Sequence, residues 1–96
     1  MPDSLAQLAQ YRAEIDACDA ELVALLARRF AVTEKVGELK ARAALPGADL
    51  AREQQQIERL HMLAQAAGIA PEQVIEIWQH IVKLVKQRHQ AIAQQV

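Results

Sequence analysis

The chain has 96 residues, enough for one domain with a modest core, and helical chains of this size often complete their cores by association. Eleven Lys and Arg against twelve Asp and Glu leave a formal charge of -1, so no overall basic field points to nucleic acid or an anionic membrane surface. The single cysteine, Cys18, excludes an internal disulfide and a cysteine-based zinc site, which suits a reducing cytoplasm. The opening MPDSLAQLAQYRAEID lacks the basic start and continuous apolar run of a signal peptide, and no apolar run is long enough to span a bilayer.

Three helices and no strand are expected, in a single all-α domain over residues 1–96. The first starts after Asp3-Ser4, either of which is a suitable cap, and runs from Leu5 to about Ala43 without an internal proline and with Gly37 as its one glycine. Such a helix is nearly 60 Å long at about 1.5 Å per residue. Its far half needs another surface, most simply a second copy of the chain. LPGAD, Leu45 to Asp49, is the loop that follows. The second helix spans about Asp49 to Ala67 and stops at Gly68, and the third opens at Pro71 and runs to about Gln94.

At 100° per residue, Leu8, Tyr11, Ile15, Cys18, Leu22, Leu25, Leu26 and Val36 form the apolar stripe of the first helix. Arg29 and Lys40 lie within about 20° of its centre and Arg12 at its edge, whereas Arg28 points about 120° away, toward solvent. A buried cation is costly unless an anion meets it. One such residue is readily explained by an internal ion pair or by snorkelling. Three on one face point to a pocket for a small molecule with more than one carboxylate, which guanidinium groups bind as a bidentate fork. DLARE, Asp49 to Glu53, adds a capping carboxylate, a further guanidinium in Arg52 and a hydrogen-bond acceptor in Glu53.

The apolar side of the third helix runs Val74, Ile77, Trp78, Ile81, Val85 and then His89, with Arg88 and Gln90 on its flanks. A lone histidine in such a place is either a core histidine satisfied by a carbonyl or a site residue. His61, His80 and His89 lack metal-ligand spacing, so no metal is expected. Ser4 and Cys18 make poor candidates for a nucleophilic triad.

Arg12, LLARRF, VGELK, DLARE and the aromatic-led last helix together resemble the all-helical chorismate mutases of the AroQ type, over about residues 5 to 92. The resemblance implies an intertwined homodimer of three-helix chains with no cofactor and no metal, acting on chorismate in a cytoplasmic aromatic amino acid pathway. It implies that Arg12 is donated across the dimer, that Arg29 binds a substrate carboxylate, and that Lys40 contacts the ether oxygen and a carboxylate. Asp49, Arg52 and Glu53 match the family's loop and second-helix positions, with Glu53 at the substrate hydroxyl. Val85 stands where a small hydroxyl residue is frequent, and His89 where a glutamine or glutamate donates to the ether oxygen. The reaction implied is the pericyclic rearrangement of chorismate to prephenate, helped by fixed donors and cations. Catalysis would fall to Arg29, Lys40 and His89. The rivals are a pyruvate-releasing lyase acting on isochorismate, a mutase acting on aminodeoxychorismate, and a non-catalytic helical dimer.

Overall fold

A computed structural model describes residues 2–47 and 49–95; Ala48, in the expected LPGAD loop, lies outside the described residues. It contains α1 (Pro2–Arg42), α2 (Leu50–Ala67) and α3 (Pro71–Gln94), and no strand among the described residues. Good helix formers such as Ala, Leu, Gln and Glu fill all three. The fold is all-α with a long first helix.

The start of α1 differs from the expectation that Asp3 or Ser4 caps it. The helix already begins at Pro2, so both residues are inside its first turn, where the Asp3 carboxylate favours the positive end of the helix dipole. Its far end closes through a Schellman-type turn: Leu45 N–H donates to Lys40 O at 2.9 Å, with Ala44 in the left-handed region at φ 54°. That conformation costs an alanine roughly 1–2 kcal/mol. Ala44→Gly is therefore expected to stabilise the chain by about 0.5–1 kcal/mol after the greater chain entropy of glycine is subtracted. A urea midpoint that fails to rise would contradict this.

Asp49 caps α2, its Oδ1 accepting from Arg52 N–H at 3.0 Å. Gly68, at φ 76°, ends the helix, with its own N–H on Gln65 O and that of Ile69 on Ala64 O. Pro71 follows Ala70, which makes no side-chain cap, and supplies the fixed φ of a first helical position.

The chain divides into two compact units, one ending at Val32 and one beginning at Thr33. The first is a stretch of α1 with its apolar stripe open: Leu8, Tyr11, Ile15, Leu22 and Leu25 are all exposed, Ile15 at 56%. In the second, α2 packs on α3. Ala64, Trp78 and Ile92 are the buried apolar side chains among the described residues. Gly37 is buried too, and a Cβ there would lie 2.6 Å from His89 Cδ2 and 3.0 Å from Ile92 Cδ1. The last turns of α1 approach α3 at a distance only a residue without a side chain permits, which accounts for a glycine inside a helix that otherwise favours alanine.

Candidate active site

Within the second unit, the end of α1 and the face of α3 enclose a cleft of about 290 Å³. That is near the lower end of the range for pockets that take small molecules. Lys40 comes from α1, and Lys86, His89 and Gln90 come from α3; Gly37, Ala41, Leu45 and Ala93 complete an otherwise apolar wall. Helical phase brings His89 and Lys86 to the same wall, being three apart on α3.

The two sides hold their charges differently. Lys40 Nζ donates to the neutral Gly47 carbonyl at 3.3 Å. Lys86 Nζ pairs with Glu53 Oε1 across α2 and α3 at 2.7 Å. His89 Nε2 lies 2.7 Å from Thr33 O. A carbonyl oxygen can only accept, so Nε2 carries the proton, and in the neutral ring Nδ1 is left as a bare acceptor. The carbonyl-satisfied state open to a lone histidine is thus realised, while the ring still borders the cleft.

Arg88, one residue before His89, grips Glu34 with both arms: Nε donates to Oε2 at 2.9 Å and Nη2 to Oε1 at 2.6 Å. The hydrogen bond from Arg88 holds the Glu34 carboxyl below its ordinary value of 4.5. A depressed carboxylate pKa contributes stability that is present above the unfolded value and lost as pH falls through the folded one. The clamp between α1 and α3 is therefore expected to be intact at neutral pH and to weaken below about pH 4.5. Urea midpoints of the wild type and Glu34→Gln should differ at pH 7 and converge toward pH 3; a constant gap would contradict the assignment.

Other expected residues lie elsewhere. Asp49 caps α2 and borders a separate shallow depression with Lys40, Leu45, Pro46 and Leu50. Glu53 borders the depression beside the cleft, with Trp78 and Lys86. Arg52 is exposed, and Val85 is half-buried without lining the cleft. In the first unit Arg12 is exposed, and Arg29 is half-buried with Nη1 enclosed and without a hydrogen-bond partner among the described residues. Among the described residues no three His, Cys, Asp or Glu side chains are grouped to hold a metal ion, and no helix is long and apolar enough to cross a membrane.

Comparison with known proteins matches the chain itself: the model of the chorismate mutase type II family covers residues 11–90. The chain belongs to the chorismate mutase type II family. The T-protein of Enterobacter agglomerans is 30% identical over 79 residues, which are 82% of this chain and 21% of that protein. The chain thus spans about a fifth of the length of the curated relative it matches.

Of the positions matched to the chorismate mutase pattern, the second unit brings Lys40 and His89 to one cleft and sets Glu53 at its border through Lys86. Lys86 and Gly37 are not among the site residues expected from sequence. Gly37 had a signal, since a glycine inside a helix costs about 1 kcal/mol against alanine and asks for a packing reason. Lys86 had only its phase, about 60° from His89 on the helix wheel.

Proposed function

We propose that the chain catalyses the rearrangement of chorismate to prephenate. The observation that carries this reading is the cleft that unites Lys40 and His89, in a chain of the chorismate mutase type II family. In the rearrangement one C–O bond breaks and one C–C bond forms within a single molecule, so nothing is gained or lost and no nucleophile is needed. The chain's task is to hold the substrate in its compact reactive conformer and to stabilise negative charge on the departing ether oxygen. Lys40, whose partner among the described residues is a neutral carbonyl, supplies that charge stabilisation. His89 adds a second donor when its ring is protonated.

Arg29 is assigned to a substrate carboxylate. Its enclosed, unpartnered Nη1 supports this, because leaving such a donor unsatisfied costs about 1–3 kcal/mol that a ligand carboxylate would relieve. The exposed apolar stripe of residues 2–32 supports a homodimer in which first helices pair, with Arg12 serving the neighbouring subunit's site. Glu53 takes the substrate hydroxyl, Asp49 and Arg52 shape the rim, and Val85 in place of a hydroxyl residue weakens binding without blocking it. The whole chain serves as one catalytic domain in the cytoplasm, without a cofactor or a metal.

Incubating the purified chain with chorismate, isochorismate and aminodeoxychorismate separately tests the reading. Prephenate from chorismate is the expected product. Salicylate and pyruvate from isochorismate, with chorismate untouched, would replace the mutase by the lyase. Preferential turnover of aminodeoxychorismate, whose amino group takes the place of the hydroxyl assigned to Glu53, would make the aminated compound the substrate instead. Light scattering during size exclusion measures the oligomeric state, and a monomer at micromolar concentration would refute the shared site.

A further inference from the structure

Lys86 is placed to do more than pair with Glu53. It lines the cleft with Lys40 and His89 and also borders the neighbouring depression, where Glu53 and Trp78 lie. The pair is too exposed to add much to stability, with about half of the lysine side chain and a quarter of the glutamate side chain accessible. An ammonium group has three N–H donors, and the contact with Glu53 engages one of them. Among the described residues no other acceptor meets Lys86. The cleft is therefore lined by a lysine on each wall, Lys40 on α1 and Lys86 on α3, and the second is paired with a carboxylate.

We propose that Lys86 is a further substrate-binding residue, whose ammonium, oriented by Glu53, takes one carboxylate of a dicarboxylic substrate and so sets the preference for dianionic over monoanionic ligands. The inference rests on the mutase reading for the identity of that substrate and on the cleft geometry for the residue. Glu53 then has two tasks, accepting from the substrate hydroxyl and holding Lys86, which its two oxygens allow.

The test compares wild type with Lys86→Met, Lys86→Arg and, as a control, Lys83→Met, which borders the adjacent depression but not the cleft. Lys86→Met is expected to raise the KM for chorismate and the calorimetric Kd for prephenate by roughly tenfold, the size of one solvated charge-assisted contact, with kcat changed less than about twofold. Lys86→Arg should recover most of that loss, the salt dependence of Kd should become shallower in Lys86→Met, and Lys83→Met should behave as wild type. Unchanged KM and Kd in Lys86→Met would overturn the proposal and leave the mutase reading standing. If wild type binds chorismate and prephenate without turnover, the mutase reading fails, and the Kd ratio between wild type and Lys86→Met still decides for or against Lys86. Absence of any binding to wild type would overturn the proposal as well.

Discussion

Lys40→Met is expected to lower kcat for chorismate by on the order of a hundred- to a thousandfold, the usual effect of removing one preorganised donor from a developing oxyanion. Methionine preserves the length and apolar stem of the side chain and removes its charge. The turn that ends α1 uses the Lys40 backbone carbonyl, not its side chain, so the fold should survive. The side chain's polar contact in the resting chain is with Gly47 O at 3.3 Å, a long bond that a substrate oxygen displaces at small cost. Steady-state kinetics with circular dichroism as a check on folding measure the outcome. A loss below tenfold would remove Lys40 from the reacting centre.

The second large effect is at His89. With Nε2–H committed to the Thr33 carbonyl, a neutral His89 has no proton left to donate; protonation places one on Nδ1. An amide at the same place keeps two N–H donors, so His89→Gln is expected to raise kcat for chorismate by on the order of a hundredfold, the usual worth of one preorganised donor at a developing oxyanion. Steady-state kinetics of the two proteins under the same conditions measure the outcome. A His89→Gln variant no faster than wild type would remove His89 from the reacting centre. Gly37→Ala gives an independent reading of the same device. A Cβ 2.6 Å from Cδ2 forces the ring away from Thr33, at an overpacking cost of about 1–3 kcal/mol against a helix-propensity gain of about 1. The melting temperature should drop, and kcat should rise because the freed ring can carry its neutral proton on Nδ1 and donate it.

Much of this arrangement was legible in the residues. Asp49, Gly68 and Pro71 punctuate the chain through local chemistry, namely a side-chain acceptor, a left-handed φ and a fixed φ, and so the bounds of α2 and α3 follow from sequence. The turn after α1 was less visible because Ala44 adopts a conformation its own side chain disfavours. Helical phase turned Lys40 and His89 inward, and they line one cleft. What phase cannot specify is the partner on another element: the Thr33 carbonyl for His89, Glu34 for Arg88 and Glu53 for Lys86 are separated from them by more than thirty residues and meet only through packing.

Trp78 is the chain's single tryptophan and is buried where α2 meets α3, while residues 2–32 contain Tyr11 and Phe30 but no indole. Indole emission therefore reports the second unit alone, and backbone ellipticity reports both. Following a denaturant titration by the two signals would separate the units without any label: coincident curves mean that they unfold as one, and an ellipticity loss that precedes the fluorescence change assigns the weaker part to residues 2–32.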